Sequence, residues 1–222
     1  MHVPDAVARL AAGLGLRPRT HHVPDGLVRG RGGPGQGRAG GERIRPANNT
    51  RQDKMTTARR IGLFGGSFDP VHNGHVMLAD TALKELSLDR LFLIPAAQSP
   101  FKPDDKPAGN GARVKLLKLA FAERGDCEVD EQELQRGGTS YTIDTVRDYA
   151  ARHPEAELTC LIGADHVPML PQWRDVDRLA GLTAFAAVPR PGEATVDFPT
   201  PFCGKRLSGV PVDVSASDIR AR

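Results

Sequence analysis

One stretch of eleven residues carries chemistry in its residue types and spacing: Gly65-Gly66-Ser67-Phe68-Asp69-Pro70-Val71-His72-Asn73-Gly74-His75. Paired glycines let a backbone come close to a ligand. A helix starting just beyond them would present unpaired N–H groups and the positive end of its dipole. His72 and His75 lie three apart, so they share one face of that helix start and can donate to the same anion. The combination suits a polyphosphate. It is not a P-loop, which needs Gly-Lys-Ser/Thr at the helix entry, and it lacks the glycine spacing of a dinucleotide fingerprint. Two plainer readings stand beside it: a structural glycine turn, and a metal held by the His pair, for which no third Cys or His lies nearby.

The elements that must position these residues follow from periodicity. Ile61–Phe64 is an apolar run entering the glycine turn, a buried strand. Val76, Ala79, Leu83 and Leu86 recur at helical steps, and Val114, Leu117 and Phe121 do so within Ala112–Ala122. Strands are predicted at Arg90–Ala96, Val129–Leu134, Leu158–Gly163, Leu182–Val188 and Pro211–Val214, with helices at Thr142–Ala151 and Trp173–Ala180. Ser99–Pro103 is a loop, because its prolines fit neither helix nor sheet. Strands alternating with helices argue for an α/β fold, a doubly wound parallel sheet with helices on both faces. In such a sheet ligands lie beyond the carboxyl ends of the strands, which singles out the loops Gly65–His75, Pro95–Lys102 and Gly163–Trp173.

Taken whole, the string Gly65–His75 resembles the G-G-[ST]-F-D-P-x-H-x-G-H signature of the nucleotidyltransferase superfamily with the H-x-G-H motif. Near the end of the chain, Val214-Ser215-Ala216-Ser217-Asp218-Ile219-Arg220 resembles the superfamily's I-S-S-T-x-I-R motif, whose hydroxyls and arginine hold the β- and γ-phosphates of ATP. Ser217 stands where the family has Thr and keeps a hydroxyl, whereas Ala216 stands where it has a second Ser. By itself that string also reads as a plain Ser N-cap. Gly138-Thr139-Ser140-Tyr141-Thr142-Ile143-Asp144-Thr145 is similar to the G-x-S-Y-T-x-D-T of the nicotinate-nucleotide adenylyltransferases. Ile162-Gly163-Ala164-Asp165 and Leu170-Pro171-Gln172-Trp173 are similar to the I-G-A-D and L-P-x-W of the same branch. The resemblance spans residues 59–220. It departs at Phe101, where the family often has His before the basic residue.

The resemblance implies a Rossmann-like fold and transfer of AMP from ATP to nicotinate mononucleotide, with Mg²⁺ arriving on the ATP. It implies ATP contacts at Gly65, Gly66, Ser67, Phe68, His72, His75, Gly163, Asp165, Ser215, Ser217 and Arg220. Nicotinate mononucleotide would meet Lys102, Thr142 and Trp173, and catalysis would rest on His72, His75, Lys102 and Arg220. Read without the resemblance, Lys102 is a solvated loop lysine and a lone Trp such as Trp173 is more often core than ligand platform. The runner-up activity is pantetheine-phosphate adenylyl transfer, disfavoured by the Ser140-Tyr141-Thr142 string and Trp173.

Composition divides the chain. Residues 1–54 hold 10 Lys and Arg against 4 Asp and Glu, with 15 Gly and Pro and no aromatic residue. The formal net charge of +3 is therefore +6 from that segment and −3 from residues 55–222. So little apolar surface cannot offset chain entropy, so residues 1–54 are expected to be a disordered, non-native extension and 55–222 the nucleotidyltransferase domain, short at its C-terminus. An RNA-binding tail is the competing reading of the leader, weakened by its lack of aromatics for base stacking. No nucleic-acid or membrane partner is expected, since no apolar run nears the roughly 20 residues that span a bilayer. Three cysteines spaced 33 and 43 apart make neither a disulfide framework nor a zinc site, which points to a reducing cytoplasm. A homo-oligomer is compatible with the sequence and not required by it.

Overall fold

The computed structural model describes residues 58–102, 104–188, 197–208 and 214–221. The expectations for residues 1–54 and for Pro211 to Asp213 of the last predicted strand lie outside these residues. In chain order the elements are β1 (Arg60–Gly66), α1 (Asn73–Glu85), β2 (Arg90–Pro95), α2 (Asn110–Ala120), β3 (Cys127–Val129) and α3 (Gln132–Arg136). They continue with α4 (Thr142–Arg152), β4 (Glu157–Gly163), a 3₁₀ helix (Ala164–Gln172), α5 (Val176–Leu182), β5 (Ala184–Val188), β6 (Gly204–Arg206) and α6 (Ala216–Ala221).

The strands form one parallel sheet in the order β3-β2-β1-β4-β5-β6. This is the doubly wound order, and it reverses between β1 and β4, where a crevice opens at the strand ends. The pleat sends alternate side chains to opposite faces. Ile61, Leu63, Phe92, Ile94, Leu158, Cys160 and Ile162 share one core with Ile143, Val146 and Tyr149 of α4. Phe64 points the other way and meets His75 of α1 at a ring distance of 5.8 Å. Every residue of β2 is buried, as a strand covered on both faces requires.

Local chemistry overrides the predicted pattern in three places. The strand expected at Val129–Leu134 stops at Val129, because the Asp130 carboxylate accepts the Gln132 N–H (3.0 Å) and turns the chain into α3. The helix expected at Trp173–Ala180 is displaced: Ala164–Gln172 already forms a 3₁₀ helix containing Pro168 and Pro171, Trp173 is extended, and α5 begins at Val176. Leu182 ends that helix, so β5 starts at Ala184. The short edge strand β6, Gly-Lys-Arg and fully exposed, has no apolar alternation by which to be read.

Candidate active site

A cleft of about 990 Å³ lies at the carboxyl ends of β1, β2 and β4. Gly65, Gly66, Ser67, Phe68, His72 and His75 line one side. Phe68 is 1 % exposed and sits at φ 45°, a left-handed conformation costly for a bulky side chain. Packing offsets the strain: its ring meets Phe64 edge-on at 5.3 Å and His75 at 4.9 Å. Phe68 thus offers the cleft a fixed backbone more than a side chain. His72 caps α1, and its N–H donates to His75 Nδ1 (3.2 Å) with the two rings 3.8 Å apart. With Nδ1 used as acceptor, a neutral His75 carries its proton on Nε2 and can donate it to an anion. Gly74 leaves room for the His72 ring, since a Cβ there would lie 3.0 Å from it, tighter than ordinary contact.

The C-terminal motif reaches the same turn. Arg220 donates to the Asp69 carbonyl, lies 3.7 Å from the Asp69 carboxylate, and donates to Ser217 Oγ at 3.3 Å. Ser215 is engaged within its own helix: its hydroxyl accepts the Asp218 N–H (3.1 Å) and donates to the Asp218 carboxylate (2.6 Å). Ser215, Ser217 and Arg220 all line the cleft.

Across the cleft, Gly137 and Gly138 at φ 69° and 66° make the turn that leads into α4, a conformation glycine adopts without strain. Thr142 opens that helix and lines the cleft. The turn is pinned to the loop after β2: the Ser140 N–H donates to the Gln98 carbonyl (2.8 Å) and the Ala97 N–H to Ser140 Oγ (2.9 Å). Beneath lies the buried carboxyl of Glu133, which accepts from Thr145 Oγ1 at 2.6 Å. Burial pushes Glu133 above the usual carboxylate range, against its hydrogen bonds to Thr145 and Ser140. Lys102 is largely exposed, 3.7 Å from Asp105.

Gly163 ends β4, and Asp165 stands exposed at the start of the 3₁₀ helix. Trp173 is both core and cleft wall. It packs edge-on against Phe185 at 6.0 Å, and Phe101 and His166 close an aromatic cluster with it at 6.2 and 6.4 Å. Trp173 Nε1 and His166 Nδ1 are buried without a hydrogen-bond partner among the described residues. Cys160 also lines the cleft, but burial pushes its thiol up to about 12, so it stays protonated and non-nucleophilic at neutral pH. The donor set is histidine, lysine, arginine, hydroxyl and backbone N–H, suited to anions. Among the described residues no three His, Cys, Asp or Glu converge as a metal site.

The structure brings together the residues singled out in the sequence and adds others that were missed. Arg113 is 1 % exposed under the cleft floor. Its signal was a cation on the apolar stripe of α2, four residues before Leu117. Glu133 and Gln98 lay in segments read as strand or loop, with no local pattern to mark them.

A family model described as cytidylyltransferase-like matches residues 63–222. A probable nicotinate-nucleotide adenylyltransferase of Opitutus terrae is 43% identical over 169 residues, covering 73% of this chain and 85% of the relative. One from Gemmatimonas aurantiaca is 41% identical, with 73% and 80% covered. Among solved structures, the Plasmodium falciparum nicotinic acid mononucleotide adenylyltransferase complexed with NaAD superposes with a TM-score of 0.59, covering 73% of this chain and 83% of that one. At 17% identity that likeness concerns the fold.

Proposed function

The chain belongs to the cytidylyltransferase-like family and, within it, to the nicotinate-nucleotide adenylyltransferases, and from that premise we propose how its cleft divides the work. The reaction moves AMP from ATP onto nicotinate mononucleotide, releases pyrophosphate and forms nicotinate adenine dinucleotide for NAD biosynthesis. The carrying observation is the pairing of two half-sites across one cleft: the His72/His75 helix start with Arg220 on one side, and the Thr142 helix start with Lys102 and Trp173 on the other.

ATP lies on the first half-site. Gly65, Gly66, Ser67 and Phe68 offer backbone, Gly163 and Asp165 meet the ribose, and Ser215, Ser217 and Arg220 meet the outer phosphates. His72 and His75 face the phosphate where bond exchange occurs. The acceptor's phosphate meets Lys102, its carboxylate the N–H groups at Thr142, and its pyridine ring Trp173. A phosphate monoester has a second pKa near 6 and is mostly dianionic at neutral pH, so no general base is needed. What the step requires is in-line placement of two anions and donors for charge growing on the α-phosphate and the leaving pyrophosphate. Mg²⁺ enters as part of the substrate, on the triphosphate, where it neutralises phosphate charge. We place the reaction in the cytoplasm, in keeping with three free cysteines; no helix of the described residues is long and apolar enough to cross a membrane.

The test is pyrophosphate release with nicotinate mononucleotide, nicotinamide mononucleotide and phosphopantetheine as acceptors. A hydrogen bond to a charged group contributes about 1.5–3 kcal/mol. A pocket offering N–H donors should therefore favour the carboxylate over the amide by on the order of a hundredfold. Comparable rates with both mononucleotides would show a dual-specificity enzyme, and preference for phosphopantetheine would overturn the assignment.

A further inference from the structure

Arg113 does not line the cleft, yet its guanidinium touches both sides of it. The residue sits in the first turn of α2 and is 1 % exposed. Its Nη1 donates to two carbonyls at once, Ser67 in the turn after β1 (2.6 Å) and Ala96 in the loop after β2 (2.9 Å). Nε donates to the Ala108 carbonyl (3.0 Å) and Nη2 to Asn110 Oδ1 (2.8 Å). None of these acceptors is a carboxylate. Asp69 is the acidic group whose charge it feels, and Asp69 is already held by the Ala108 N–H (3.2 Å) and by Arg220.

As scaffold alone this is a poor use of a buried position, because a cation desolvated without an ion partner is less favourable than an apolar side chain of the same size. The geometry supplies another use. Two carbonyl oxygens that converge on one point repel each other, and a planar guanidinium can hold both while its other nitrogens are fixed to α2. The two loops it grips are the ones assigned above to the two substrates, Ser67 on the ATP side and the Ala96–Lys102 stretch on the acceptor side. We propose that Arg113 is a positioning residue that sets the spacing between the donor and acceptor loops, and through it the in-line alignment of the two phosphates. This rests on the adenylyl-transfer reading of the cleft.

Such a role has its own signature. Each substrate binds chiefly to its own side of the cleft, with contacts beyond the loop that Arg113 grips, so losing the clamp leaves the separate affinities nearly intact while the reacting atoms drift apart. A misplacement of about 1 Å is enough to cost on the order of a hundredfold in rate. Lysine cannot replace arginine here, since one ammonium lacks the planar fork that reaches Ser67, Ala96, Ala108 and Asn110 together.

The experiment uses the full chain with Arg113→Lys and Arg113→Met, checked for folding by thermal melting. Three quantities are read: single-turnover pyrophosphate formation, calorimetric binding of each substrate alone, and amide exchange in the loops at Ser67–Asp69 and Ala96–Gln98. Both variants should fold, bind each substrate within about fivefold of the unmodified protein, and slow the single turnover by roughly a hundredfold, with exchange rising in both loops together. A rate within threefold of the unmodified protein, a loss explained by weaker binding of one substrate, or full activity in the lysine variant would each overturn the proposal. So would failure of both variants to fold, which would make Arg113 part of the scaffold. If the unmodified protein itself released no pyrophosphate, the functional reading would fall, while paired exchange in the two loops would still report the clamp.

Discussion

The turn after β1 and the loop after β2 emerge side by side from the centre of the sheet, yet they are built to different standards. In the first, Ser67 is held by Arg113, Asp69 by Ala108 and Arg220, and the Phe68 ring is buried between Phe64 and His75. In the second, the root is fastened to its neighbours, Ala96 by Arg113 and Gly66 and Ala97 and Gln98 by Ser140, whereas the bonds further out stay within the loop, from Gln98 Nε2 to the Lys102 carbonyl and from the Phe101 N–H to Ser99 Oγ. Beyond the root Phe101 is 38 % exposed, and Lys102 reaches out on a flexible stem. Charge that grows during reaction is best met by donors that need not reorganise. A phosphate that must only be gathered can be met by a mobile point charge. The difference teaches where a substitution should act on rate and where on affinity.

The sharpest way to break this contrast is His75→Ala. If the first turn is the preorganised half, the variant should lose about 2.7–4 kcal/mol of transition-state stabilisation, a 10²–10³-fold fall in kcat with a modest change in the KM for ATP. Near-normal turnover would remove His75 from the chemistry. Arg220→Ala comes next: it meets charge already present in bound ATP, so ATP affinity and turnover should both drop, by roughly ten- to a hundredfold in kcat/KM. A kcat effect without an affinity effect would move Arg220 to the role given to His75.

On the open side, Lys102→Ala should raise the KM for nicotinate mononucleotide by about tenfold, the range of one charge-assisted contact, and leave the melting temperature unchanged because the side chain is exposed. A hundredfold fall in kcat at saturating acceptor would show that the second loop is as preorganised as the first. The smallest effect concerns Glu133. Burial raises its folded-state pKa above the ordinary 4.5, so its contribution to stability is fully present below that value and is lost as pH rises through the raised one. Glu133→Gln cannot ionise, so its melting temperature relative to the unmodified protein should climb as the pH is raised above the ordinary 4.5. A constant offset across that range would mean that Glu133 titrates alike folded and unfolded.

What was legible in the sequence was what is local. The strand, glycine turn and helix start around His72 and His75 occupy consecutive residues, and the order of strands and helices sufficed for the doubly wound sheet. Trp173 and Thr142 could be placed by their strings, though not the 3₁₀ helix, whose prolines erase the helical period before Trp173. Arg113 reads locally as a helical arginine; its meaning lies in Ser67, 46 residues away. Glu133 likewise becomes informative only when folding removes it from water beside Thr145 and Ser140.

Trp173 is the chain's one tryptophan, so light at the red edge of indole absorption, beyond the two tyrosines, excites a single side chain, and that side chain lines the cleft. Its indole is half-buried among Phe101, His166 and Phe185, with an N–H that finds no partner among the described residues, surroundings that favour blue-shifted emission. The pyridinium ring of a nicotinate mononucleotide laid on that indole would accept an electron from its excited state and darken it. Ultraviolet light should thus follow the filling of one half of the cleft without a label, leaving the nucleotide on the other half unseen.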